Sequence, residues 1–301
     1  MRVSTVHMFQ QGLDAIVDRQ SKLLKTQLQL SSGKRVNNPS DDPAGAARIL
    51  DLQQGAAITR QYQANILAGQ SRLELEDAVL ASVTNSLQRA RELAVGGLNG
   101  TQSIEDRTAM AKEIRQITDE VMALANTKDA NGDYLFSGFQ TQTAPFSTNG
   151  SGTYTYSGDQ GQRFLQVGPT RQVSVGDSGL AVFMKIPDGA GTGFQDVFTS
   201  LYNLATDLEA NTPNSRSLTE LDNAIENILG VRAQAGARLN AIDREREVND
   251  SMLFELEQAR SAVEDIDFAE AASRLSRQSL VLEAAQQSFI RVQNLSLFNF
   301  L

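Results

Sequence analysis

Val6, Phe9, Leu13, Ile16, Gln20, Leu23, Gln27 and Leu30 follow one another at alternating intervals of three and four residues. That interval lines one face of an α-helix with a heptad seam. The helix would cover about 4–31 and run for about 40 Å, too long to bury its seam against itself. A matching seam stands at the other end of the chain: Phe268, Ala272, Leu275, Ser279, Leu282, Gln286, Phe289, Gln293 and Ser296. Two terminal seams of one period predict that the chain's ends pair. Gln and Ser at seam positions weaken such pairing in an isolated molecule, so the ends are expected to order on assembly.

Inside these seams a second helical layer is predicted. Asn38-Pro39-Ser40-Asp41-Asp42-Pro43 offers Ser40 as a cap and two acids and a proline for a first turn. Leu80, Val83, Leu87, Ala90 and Ala94 then form a stripe that Gly96-Gly97-Leu98-Asn99-Gly100 ends. Ser103 with Asp106 makes a capping box, and Met110, Ile114, Ile117, Val121 and Leu124 stripe the next helix, antiparallel to the last. A second box at Ser217 and Glu220 opens a long helix on Leu221, Ile225, Ile228, Ala235, Leu239, Ile242, Leu253, Leu256 and Val263. Arg232, Arg246, Asn249 and Arg260 interrupt that seam, which predicts imperfect packing.

Between about 131 and 200 the period changes from helix to strand. Tyr154–Tyr156, 164–167, 172–175 and 182–186 alternate as short strands among Gly, Ser and Thr, and Asn131-Gly132 marks a tight turn. The expected fold class is mainly α with a β-rich insertion: an elongated antiparallel helical rod from both chain ends plus a small central β domain. The expected domains are a terminal coiled-coil segment, residues 1–37 and 266–301, disordered in the monomer; a helical rod domain, 38–130 and 205–265; and a β-rich inserted domain, 131–204. An insertion of this kind would project sideways, and removing about 147–200 should leave assembly intact.

Charge and composition narrow the chemistry. The 301 residues carry a net charge of −9, with +4 concentrated in residues 1–37, against a broad nucleic-acid surface. The basic cluster Lys22, Lys25, Lys34 and Arg35 reads as a solvated helix face. There is no cysteine, and His7 is the single histidine, so disulfides, thiolate chemistry and multi-histidine metal sites drop out. No window nears the roughly 20 apolar residues of a membrane span, and no cleavable signal is visible. Asp129-Ala130-Asn131-Gly132-Asp133 has its glycine at the fourth place where an EF-hand needs it at the sixth, so it reads as a turn. Gly189-Ala190-Gly191-Thr192-Gly193 lacks the context of a phosphate loop. Asp41 and Asp42, beside Pro43, suit a helix dipole better than acid–base work. The expectation is no catalytic site, no metal and no cofactor.

Several segments resemble the flagellin superfamily. Ser31-Ser32-Gly33-Lys34-Arg35-Val36-Asn37-Asn38-Pro39-Ser40-Asp41-Asp42-Pro43-Ala44-Gly45 is similar to the stretch where that family's terminal helix turns into the next domain. Asn131-Gly132-Asp133-Tyr134-Leu135-Phe136-Ser137-Gly138-Phe139, Thr143-Ala144-Pro145-Phe146 and Leu295-Ser296-Leu297-Phe298-Asn299-Phe300-Leu301 resemble its hook–filament junction branch. The resemblance spans about 1–146 and 218–301. It implies a secreted structural protein, exported by the flagellar type III export apparatus and assembled as a ring of its own subunits on hook-associated protein 1, with flagellin beyond. It also implies an export chaperone that holds the C-terminal segment, for which Leu275, Leu282, Phe289, Leu297 and Phe298 are the candidate contacts. The assembly interface is assigned to Val6, Phe9, Leu13, Ile16, Leu23, Leu30, Phe268, Leu275, Leu282 and Phe289. Neither nucleic acid nor membrane is expected as a partner. The competing readings are a flagellin filament subunit, a cytoplasmic coiled-coil adaptor and a hydrolase with its site in the insertion.

Overall fold

The computed structural model describes the backbone of residues 5–294. Its elements are α1 (Thr5–Ser32), α2 (Pro43–Leu98), α3 (Ile104–Ala125), β1 (Phe146–Thr148), β2 (Tyr154–Tyr156), β3 (Phe164–Gln166), β4 (Gln172–Ser174), a π-helical turn (Leu180–Met184), β5 (Ile186–Pro187), β6 (Phe194–Gln195), α4 (Val197–Glu209), α5 (Ser215–Glu264) and α6 (Phe268–Asn294). The strands form three separate antiparallel hairpins, β1–β2, β3–β4 and β5–β6. The chain divides into two compact units, residues 1–58 with 251–301 and residues 59–250.

In the first unit α1 and α6 lie antiparallel, with the Phe9 and Phe289 rings 4.9 Å apart at one end. A Cβ at Gly12 would stand 2.8 Å from the Phe289 ring, so the missing side chain admits that ring. Gly33, at φ +70°, stops α1 in the left-handed conformation that glycine adopts at least cost. Its carbonyl accepts the Ile266 N–H at 3.0 Å, which ties the end of α1 to the start of α6. The cap of α2 is Asp42 rather than Ser40: its carboxylate accepts the Gly45 N–H at 2.9 Å, with Pro43 as the first helical residue. Asp41, the other acid of the pair, accepts the N–H groups of Asn37 (3.2 Å) and Asn38 (3.0 Å) and folds the turn itself.

The second unit has one large core. Val79–Ala94 of α2, α3, α4 and the start of α5 surround six aromatic rings, Phe136, Phe146, Tyr154, Tyr156, Phe183 and Phe198. Neighbouring centroids lie 5.2–5.9 Å apart, in tilted, edge-on and, for Phe183 with Phe198, stacked arrangements. Ser103 caps α3 in the predicted box with Asp106. A smaller cluster packs β3–β4 on the helices through Ile66, Leu73, Val167, Val173, Ala235 and Ile242. α2 and α5 run antiparallel, tied by Arg91–Asp222, Arg232–Asp77 and Gln63–Asp250.

Four expectations are corrected. Residues 182–184 do not extend as a strand but lie in the π-helical turn, where Val182 and Phe183 are buried and Asn227 donates to the carbonyls of Ala181 and Val182. The box at Ser217 and Glu220 does not open α5, which begins two residues earlier; Glu220 is buried and accepts from Gln195 and Arg216. Residues 197–209 form helix α4, capped by Asp196, whose carboxylate accepts the Thr199 N–H. Finally, residues 131–204 do not pack as a body of their own, because Phe136, Phe146, Phe183 and Phe198 fill the same core as α2, α3 and α5. Removing 147–200 would take Val182, Phe183, Ile186, Val197 and Phe198 out of that core.

Candidate assembly surface

Helix α1 carries two apolar stripes. Ile16, Leu23 and Leu30 are half-buried, whereas Phe9 and Leu13, nearer the start, are exposed. Beside this seam stand Val17, Leu24 and Leu28, with Leu24 63 % exposed. On α6 the predicted Leu275, Leu282 and Phe289 are half-buried and Phe268 is exposed, its ring beside Gly33. Leu280, Val281 and Ile290 are exposed, with Leu280 at 68 %. Val6 lies on α1, but its side chain lies outside the described residues, as do Leu297 and Phe298. Val17, Leu24, Leu28, Leu280, Val281 and Ile290 were not singled out from sequence. The signal for Val17, Leu24 and Leu28 was a spacing of seven and four, offset by one residue from the seam.

The basic cluster is solvent-exposed, as expected, and each of its members is also paired with an acid. Lys22 pairs with Asp18 and Lys25 with Asp41, each at 2.7 Å, Lys34 with Glu264 at 2.5 Å, and Arg35 with Asp42 at 3.1 Å. Arg35 also donates to the Val263 carbonyl at 2.8 Å, and its own carbonyl accepts from Gln29. The segment between α1 and α2 is thereby braced on the end of α5. The Lys25 ammonium, followed by the Asn38 N–H, holds the Asp41 carboxyl below its usual range. The Gly45 N–H, followed by Arg35, does the same for Asp42. The stability these acids contribute is present above the ordinary carboxylate value and lost as pH falls through their lowered folded values.

The other sequence candidates resolve as structure. Asp129 accepts the N–H groups of Asn131 and Asp133 and pairs with Arg72 at 2.7 Å, so the acidic loop is a turn pinned to α2. The glycine-rich 189–193 segment is the tip of β5–β6, closed by Asp188 on the Thr192 N–H and hydroxyl. His7 is exposed and bonded to Gln11. Among the described residues no group of His, Asp and Glu is placed to hold a metal, and no helix is long and apolar enough to cross a membrane.

The terminal helices α1 and α6 pair antiparallel and leave apolar side chains facing outward. Residues 3–141 match the bacterial flagellin N-terminal helical region, and residues 218–301 match the bacterial flagellin C-terminal helical region; the chain belongs to the flagellin superfamily. Within that class, it is 33 % identical to flagellar hook-associated protein 3 of Escherichia coli over 99 % of both chains. Flagellin of Bacillus subtilis is 27 % identical, over 91 % of this chain and 90 % of its own. The crystal structure of hook-associated protein 3 from Legionella pneumophila shares the fold at a TM-score of 0.68 and 24 % identity, covering 71 % of this chain and 98 % of that one. The chain is a member of the flagellar hook-associated protein 3 family, a structural protein of the hook–filament junction outside the cell and not an enzyme.

Proposed function

We propose that copies of this chain form a ring that adapts hook-associated protein 1 to the flagellin filament, joined through α1 and α6. The observation that carries this reading is the exposed stripe of Val17, Leu24, Leu28, Leu280, Val281 and Ile290 in a unit whose buried positions include polar Thr26, Gln29 and Glu264. An apolar stripe on a thin helical pair lowers its free energy by packing against neighbours. The interface then comprises Val6, Phe9, Leu13, Ile16, Leu23, Leu30, Phe268, Leu275, Leu282 and Phe289 together with those six. Before export through the type III apparatus, Leu275, Leu282, Phe289, Leu297 and Phe298 engage a chaperone in the manner of an amphipathic helix in a groove.

The test is reconstitution. Purified chain is added to hooks bearing hook-associated protein 1, followed by flagellin. Filament growth that requires the chain supports the adaptor reading, and long tubes from the chain alone would instead make it a filament subunit.

A further inference from the structure

At the centre of the second unit, Glu76 of α2 is fully buried. One carboxyl oxygen, Oε1, accepts the Asp177 N–H at 3.2 Å; the other, Oε2, has no hydrogen-bond partner. The charges around it are already matched. From α5, Arg238 donates two bonds to the Asp177 carboxylate, at 2.7 and 3.0 Å. From α2, Arg72 pairs with Asp129 and donates to the carbonyls of Tyr134 and Leu135. Arg163, ahead of β3, lies 3.8 Å from Asp133. Three guanidiniums thus face three aspartates, and Glu76 is a seventh, odd group. A neutral acid leaves the cluster balanced, whereas a carboxylate adds an uncompensated charge to a buried site.

A second arrangement is within reach. Arg72 Nε is buried without an acceptor, and Arg72 stands one helical turn before Glu76, where side chains of a helix meet. We propose that Glu76 is a proton-operated clasp: protonated, it sits neutral against the Asp177 N–H and the matched pairs keep the 159–178 segment on α2; ionised, its charge stands uncompensated beside the Asp177 carboxylate, and as it turns to Arg72 that segment loosens. Burial, reinforced by the Asp177 carboxylate and opposed by Arg238, raises its pKa from 4.5 to about 8. The folded chain therefore binds this proton more tightly than the unfolded chain. The contribution of Glu76 to stability is complete below about 4.5 and drains away as pH rises through about 8.

The experiment uses the full chain labelled with glutamate carrying 13C at Cδ, titrated beside Glu76→Gln. One resonance should move with a midpoint near 8 and be missing from the variant. Hydrogen exchange in 159–178, compared between wild type and E76Q at each pH to cancel the intrinsic rate, should rise by up to about tenfold per unit between about 4.5 and 8 and level off above that midpoint, in wild type alone. Asp177→Asn retains the N–H but removes the neighbouring charge, and should lower the midpoint by about one unit or more; this readout stands even where E76Q folds poorly. A midpoint in the ordinary carboxylate range, equal exchange in wild type and E76Q, or a midpoint that D177N leaves in place would each overturn the clasp.

Discussion

The two units use the same device, paired antiparallel helices, and bury different things with it. In residues 59–250, helices α2, α3, α4 and α5 close around 27 buried apolar side chains in one cluster. In residues 1–58 and 251–301, the buried apolar positions among the described residues are Val36, Ile49, Ala56 and Ala271, and the larger side chains of α1 and α6 stay half-buried or exposed. The first arrangement satisfies its hydrophobic surface within one molecule. The second leaves part of that surface exposed, and this is the face that the proposed ring would cover.

The sharpest way to break this contrast is a large-to-small change in the packed unit. Phe198 is fully buried against Phe146, Phe183 and Tyr154, and Phe198→Ala should cost about 3–5 kcal/mol. Denaturant unfolding followed by near-ultraviolet circular dichroism would show it. A loss under about 1 kcal/mol would mean that the second unit is no better packed than the first.

Next comes Arg107, a buried cation at the start of α3. Its guanidinium donates to the carbonyls of Gly97 and Asn99, each at 3.1 Å, and to the Asn211 side chain. It therefore joins the α2–α3 turn to the turn after α4. Arg107→Met retains the stem and leaves those acceptors bare, with an expected loss of about 1.5–3 kcal/mol by the same assay. An unchanged midpoint would place those turns outside the cooperative unit.

These expectations differ in how far a sequence could have supplied them. The stripes of α2, α3 and α5 were legible because each recurs over many turns, and Ser103 with Asp106 was legible because a capping box is local. Ser217 and Glu220 have the same local form, yet the chain there is already helical and Glu220 turns to Gln195, 25 residues away. Residues 182–186 alternate like a strand, but Asn227 takes the Ala181 and Val182 carbonyls, and the segment coils. Helix α4 has apolar positions at Val197, Phe198, Leu201, Leu204 and Leu208 at helical spacing; its neighbours in a glycine-rich stretch hid it. On α1 and α6, the periodicity of the half-buried seam was legible and the exposed stripe beside it was not, because a period alone does not say which of two adjacent faces the partner helix covers. Glu76 had no local signal at all: its bonded partner lies 101 residues away.

Smaller still is the effect expected at Ser103. Its hydroxyl accepts the Asp106 N–H at 3.1 Å on an exposed helix start, and Ser103→Ala should lower the stability of the second unit by about 1 kcal/mol. Double substitution with Asp106→Ala tests the reciprocal half of the box. The two losses should fall short of adding, since each residue satisfies the other's backbone N–H. Full additivity would mean that the two halves act separately.

The smallest expected change in the monomer is the most informative about the first unit. Leu24 and Leu28 are exposed on α1, so replacing both with Ser removes little that the isolated chain has buried. The unfolding free energy of the monomer should shift by less than about 0.5 kcal/mol. Growth of filaments on hooks carrying hook-associated protein 1 should nevertheless fail, because the same side chains would leave an apolar contact between copies half made. A variant that is destabilised alone would show that α1 already spends this face within one chain. A variant that is stable and still supports filament growth would move the assembly surface to the α1–α6 seam, where Ile16, Leu23, Leu275 and Leu282 are half-buried in the single molecule.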